Sequence, residues 1–151
     1  MARFKFRMAM LLKLREAARD ERRGELAKAY RADEVLAENL GHVEAEARAV
    51  VERCRKAAGP GTIDLDLLIE AQRYEIMLKS QQRHLQQQRA KLAEEIERRR
   101  LALLAANRDV RVLEKLREHQ LDQHNQAEYR ADIKRLDEVA RLQAMAAEEV
   151  V

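Results

Sequence analysis

One stretch of this 151-residue chain, RKAAGPGTIDLDLL at residues 55–68, interrupts a sequence otherwise made of helix-forming residues. It holds the only proline, Pro60, and two of the four glycines, Gly59 and Gly61. Arg53, Arg55 and Lys56 precede it, where cations suit the negative end of a helix dipole. Gly59 can take the left-handed cap conformation, and Pro60 blocks continuation. Beyond it, Thr62 or Asp64 can cap a new helix, and Asp64, Asp66 and Glu70 put negative charge in its first turns. The signals predict a first helix over about residues 6–57, a turn at about 58–63 and a second helix over about 64–148, all in one coiled-coil domain.

Apolar spacing predicts that the two helices fold onto each other. Leu36, Leu40, Val43, Ala47, Val50 and Cys54 follow alternating steps of four and three, and so do Leu67, Ala71, Tyr74, Leu78, Gln81 and Leu85. About a turn near residue 60, antiparallel partners have numbers that total a constant, here 121. Cys54 then faces Leu67, Val50 faces Ala71, Ala47 faces Tyr74, Val43 faces Leu78 and Leu36 faces Leu85, so that small residues often meet large ones. Extending the rule pairs Ala29 with Leu92, Ala18 with Leu103, Leu11 with Val110 and Met8 with Leu113. It also exposes a polar middle, where Leu40 faces Gln81, Asp33 faces Gln88 and Arg22 lies near Arg99; such layers set register at a cost in stability.

The expected fold class is all-α, a long two-helix antiparallel coiled-coil hairpin whose second helix is longer and overhangs the N-terminal end. Partners run out near residue 117, which leaves residues 118–151 without a cover from the first helix. At about 1.5 Å per residue the second helix approaches about 125 Å and overhangs by about 50 Å, giving a rod with a projecting tip. That segment keeps apolar spacing at Ile133, Leu136, Ala140 and Ala147, and a stripe with no internal partner implies an external one.

Composition narrows the function classes. Aromatic residues make up 3% of the chain and charged residues 38%, which disfavours a compact core built on rings. The apolar run MAMLL is stopped by Lys13 and is too short for a membrane span or a signal core. A single cysteine, Cys54, cannot close an internal disulfide, which suits a reducing compartment. Its seam position reads as small apolar packing. The four histidines include no Glu-x-x-His pair, and His119 and His124, five apart, point to different faces of a helix. No phosphate-binding glycine loop is present, since Gly59 and Gly61 flank a proline with no Lys-Ser or Lys-Thr after them. These features predict no catalytic residue, no metal site and no cofactor, and so no enzyme.

Charge is unevenly placed. Residues 1–28 carry nine Lys or Arg against four acids, and residues 118–151 carry eight acids against four bases. On long helices most such charge is a solvated face. An alternative function remains on this reading: a basic coiled-coil adaptor for nucleic acid, using the basic start and Arg98 to Arg100, or for an anionic membrane, using residues 1–15, which hold five bases and no acids. The near balance of charge and the lack of a reading motif count against nucleic acid.

The opening FKFRMAMLLKLREAARDE, the glycine-containing turn near residue 60 and the closing AEYRADIKRLDEVARLQ together resemble the FliJ family of flagellar export proteins. The resemblance covers essentially the whole chain. Phe4, Phe6, Leu12 and Arg15 carry it at the start, and Leu136, Asp137 and Glu138 near the finish. It implies an antiparallel hairpin similar to the central stalk of rotary ATPases, acting as a non-enzymatic cytoplasmic part of the flagellar type III export apparatus, peripheral at the inner face of the cell membrane. The implied partners are the hexameric export ATPase and the cytoplasmic domain of the export gate, with export chaperones as further ones. Phe4, Phe6, Leu12, Arg15, Ile133, Leu136, Asp137, Glu138 and Ala140 are then the ATPase-ring residues. Tyr74, Leu78, Gln81 and Leu85 correspond to the gate surface, although Gln81 and Leu85 depart from the small and histidine residues of some members. The seam spacing assigns these same four residues to the hairpin interior.

Overall fold

The computed structural model describes residues 3–150. Helix α1 spans Ala9–Ala57 and the longer α2 spans Leu65–Glu149, with no strand among the described residues. The turn between them uses its glycines differently from expectation. Gly61 has φ 138° and is the positive-φ residue of the turn, whereas Gly59 is not in the left-handed region. The Gly59 amide instead donates to the Lys56 carbonyl at 3.3 Å, and the Ala58 amide donates to Cys54 at 3.0 Å. These bonds close α1 before Pro60, so the left-handed residue comes after the proline. Of the two candidate caps for α2 it is Asp64 that acts, its Oδ1 accepting from the Leu67 amide at 3.3 Å.

The chain divides into two compact units, residues 20–104 and a second one made of residues up to 19 with residues from 105 on. In the first unit, α1 turns the expected seam inward: Leu36, Leu40, Val43, Ala47 and Cys54 are half-buried and Val50 is buried. On α2, Ala71 and Leu85 are half-buried and Leu78 is 1% exposed. The second inward column of α2 lies one residue beyond the expected one, at Glu75, Gln82 and Arg89 in place of Tyr74, Gln81 and Gln88. Leu67 is also exposed rather than covered by Cys54.

The register survives this change of phase. Tyr74 meets Glu46 and Arg89 meets Asp33, pairs whose numbers total 120 and 122. The Arg99 guanidinium donates to the Glu25 carbonyl at 2.7 Å, a total of 124, because a long helical side chain leans toward its own N-terminus. The polar middle is thus built otherwise than expected. Arg89 closes a two-point contact on Asp33, Nε to Oδ1 at 3.0 Å and Nη2 to Oδ2 at 3.2 Å, and Arg99 and Arg22 both reach Glu25, Arg99 its backbone oxygen and Arg22 its carboxylate. Arginines reach acceptors that a glutamine at position 88 would not satisfy with charge.

In the second unit Leu12, Val110 and Leu113 form the buried cluster, with Phe6 packed on it. Leu11 and Met8, the expected partners of Val110 and Leu113, are 39% and 44% exposed, and Ala18 is exposed. Heptad steps counted back from Leu26 land on Arg19 and Leu12, not on Ala18 and Leu11, so Leu12 occupies the seam. Helix α1 starts at Ala9 rather than near residue 6, its first turn closed by the Leu12 amide on the Met8 carbonyl at 2.9 Å. The preceding residues stay outside the helix and lay Phe6 against the cluster.

Candidate functional site

Residues 3–8 form a strap along α2. Phe6 caps the Leu12, Val110 and Leu113 cluster, and Phe4 reaches further, its ring centroid 5.6 Å from that of His124 with the planes tilted by 44°. This spacing lies within the range in which aromatic rings attract each other. On its other side the His124 imidazole Nε2 lies 3.5 Å from a Glu128 carboxylate oxygen. Arg15 lies 3.4 Å from Asp109, with both side chains about half exposed. A shallow cavity of about 320 Å³ opens between strap and helices, lined in part by Phe4, Phe6, Leu12 and Arg117.

The structure therefore brings Phe4, Phe6 and Leu12 to one cavity, with Phe6 and Leu12 turned inward, while Arg15 lies apart at Asp109, fifteen residues before the His124 that Phe4 reaches. The remaining residues expected at the ATPase ring lie further along α2. Ile133 comes nine residues after His124, about 13 Å along the axis, so the strap does not reach it. From Tyr129 to Val150 every residue is exposed. Ile133 is 40% and Leu136 68% exposed, and Ala140 continues their line one turn on, with Asp137 and Glu138 exposed beside it. Steps of four, three and four from Tyr129 through Ile133 and Leu136 to Ala140 make this a narrow apolar seam with no α1 residue against it. The ion pair between Arg135 and Asp132, at 3.2 Å, is local to the helix.

The four residues assigned to the gate surface separate by exposure. Leu78 is buried and Leu85 half-buried, as the seam spacing requires, whereas Gln81 is exposed and Tyr74 is 36% exposed. The Tyr74 hydroxyl donates to Glu46 at 2.7 Å across the helix pair. That donation to a carboxylate is the main cause holding its ionisation above the usual tyrosine value. Tyr74 also lines an apolar cavity of about 500 Å³ next to the turn, with Val50, Cys54, Leu67 and Ala71.

The strap was invisible to periodicity, because a segment outside a helix has no helical phase. Its one signal was the presence of both phenylalanines of the chain within three residues. Among the described residues no group of three or more His, Cys, Asp or Glu side chains is placed to hold a metal, and no helix is long and apolar enough to cross a membrane. The family described as FliJ, flagellar FliJ protein, matches this chain over residues 4–149. No curated protein and no solved structure matches it.

Proposed function

This chain belongs to the flagellar FliJ protein family and is a component of flagellar protein export, and we propose that it serves there as a non-enzymatic, central-stalk-like cytoplasmic element that binds and stimulates the hexameric export ATPase and links it to the export gate. The observation that carries this reading is the exposed seam at Ile133, Leu136 and Ala140, on a part of α2 that α1 does not cover. A slender helical end fits the central channel of a ring. Apolar contacts hold it, and Asp137 and Glu138 beside the seam, with Arg15 on the companion helix, meet successive subunits through charge. Stimulation follows if the seam binds the assembled ring better than separate subunits, since a ligand shifts an equilibrium only by its differential affinity. The strap carrying Phe4 and Phe6 holds the start of α1 against α2 at the base of this end.

The gate contact, in the same proposal, uses Tyr74 and Gln81 as the outward groups, while Leu78 and Leu85 hold α2 on α1 beneath them. Export chaperones are further proposed partners, and the apparatus itself is proposed to bring the chain to the membrane.

The test is ATP hydrolysis by the purified export ATPase with the full chain, with a chain lacking residues 130–151, and with Leu136→Asp. Both changes are expected to abolish stimulation while circular dichroism still reports a folded helix pair, because residues 8–113 do not depend on the tail. Full stimulation by the shortened chain would remove the tail as the ring-binding element.

A further inference from the structure

The start of α1 has an outer face that the strap, the buried cluster and the tail leave unused. Leu12 turns inward, and the residues around it turn out: Met10 is 70%, Leu14 61% and Leu11 39% exposed. Met10 and Leu14 are four apart and Leu11 and Leu14 three apart, so the three make one patch, which Ala17 and Ala18 extend by a turn. Lys13 flanks it on α1, and Arg3, Lys5 and Arg7 precede it on the strap, all four exposed and none with an ion-pair partner among the described residues. The first acid along α1, Glu16, is half-buried on the side facing α2, and exposed acids begin only at Asp20 and Glu21. Asp109, the nearby acid on α2, is engaged by Arg15.

We propose that this face is a docking surface for anionic lipid, with Met10, Leu11 and Leu14 entering the headgroup boundary and the four unpartnered cations lying among the phosphates. An amphipathic helix with a basic rim binds in the plane of a membrane by adding buried apolar area to attraction for negative headgroups. Charge selects the occupant: residues 3–15 carry five cations and no carboxylate. Shape selects a lipid surface over a folded protein. The patch is the convex side of one helix, and the cavity of this unit, lined by Phe6, Leu12 and Glu16, meets it only at Lys13 on its edge and includes none of Met10, Leu11 and Leu14. A convex face presenting pliable methionine and leucine side chains matches a fluid surface that conforms to it. No helix among the described residues is long and apolar enough to cross a membrane, so the contact is interfacial. This proposal does not require the stalk role, because it uses the opposite side of α1 from Leu12 and none of the tail.

The full chain is tested by co-sedimentation with vesicles of phosphatidylcholine alone and of phosphatidylcholine mixed with phosphatidylglycerol. Binding is expected only to the mixed vesicles, and it falls as salt shortens the reach of the charges. Lys5→Gln and Lys13→Gln each lower the partition constant by about five-fold, the effect of one cation near such a surface. Met10→Ser combined with Leu14→Ser lowers it by at least about ten-fold, with the helical circular dichroism signal unchanged because both residues are exposed. Equal partition into neutral vesicles, absence of binding to the mixed ones, or binding insensitive to the Met10 and Leu14 changes would each overturn the proposal. So would a fall in the protein's own oligomeric size on making those changes, which would assign the patch to a second copy of the chain.

Discussion

The Tyr74 hydroxyl donates to a carboxylate oxygen of Glu46 at 2.7 Å, tying α2 to α1 from the margin of their contact instead of from its interior. The bond exists only while the phenol keeps its proton, and donating it to the Glu46 carboxylate is the main reason the Tyr74 ionisation stands above the ordinary tyrosine value. A raised folded value means the contribution is complete below the unfolded tyrosine value and is lost as pH rises through the folded one. In a chain carrying Tyr30→Phe and Tyr129→Phe, ultraviolet absorbance reports Tyr74 alone. Glu46→Gln is expected to bring its titration down toward the ordinary range. An unchanged titration would show that Glu46 is not the cause.

Leu78 lies beneath that margin and is 1% exposed, while Leu136 on the tail is 68% exposed. Leu78→Ala leaves a hole in the helix contact and is expected to cost about 2 to 4 kcal/mol in urea unfolding followed by circular dichroism. Leu136→Ala should change stability by no more than about 0.5 kcal/mol. Equal effects would contradict the separation of a buried packing leucine from an exposed one.

Between the Tyr74–Glu46 and Arg89–Asp33 contacts, Val43 and Leu78 fall at the same level of the two helices. With Cys54→Ala to remove the native thiol, cysteines replacing Val43 and Leu78 should form a disulfide within one chain under mild oxidation. Migration on a denaturing gel distinguishes this from linkage between chains. Linkage between chains alone would refute the antiparallel pairing.

Asp33 is held below its ordinary carboxyl value chiefly by the hydrogen bonds from Arg89. A lowered folded value contributes stability that is present above the unfolded carboxyl value, about 3.9, and is lost as pH falls through the folded one. Both side chains are about one third exposed, so the effect is small and screened by salt. Asp33→Asn should lower the melting temperature slightly at neutral pH, and the gap from the parent chain should close in acid. A gap of constant size at every pH would point to packing instead of the ion pair.

Much of this fold could be read from spacing, and the errors share one cause. The α1 seam from Leu36 to Cys54 was legible because its apolar residues themselves keep the steps of four and three. On α2 the inward column holds Glu75, Gln82 and Arg89, while the apolar ring of Tyr74 stands one place earlier. A search for apolar residues therefore selects the neighbour. Leu11 and Leu12 posed the same choice, and only the heptad phase carried from Leu26 separates them. The exposed stripe at Ile133, Leu136 and Ala140 was equally plain in the sequence, but a stripe does not name its partner; the ATPase ring is proposed for it, and family membership shows only a part in flagellar export. The strap depends on two ring contacts, Phe6 with the Leu12, Val110 and Leu113 cluster and Phe4 with His124, which no local pattern encodes.

The turn at Gly61 also orders events in time. Contacts that join α1 to α2 span 28 residues at Tyr74 and Glu46, 56 at Arg89 and Asp33, 74 at Arg99 and Glu25, and 94 at Arg15 and Asp109. Closing a loop costs entropy that grows with the logarithm of its length, so the contact nearest the turn has the least to overcome. Once it forms, each later one closes only the short increment beyond its predecessor. The chain zips from Gly61 outward past Arg15 and Asp109, and the contact of Phe4 with His124, 120 residues apart, is the last to close and the first to fray.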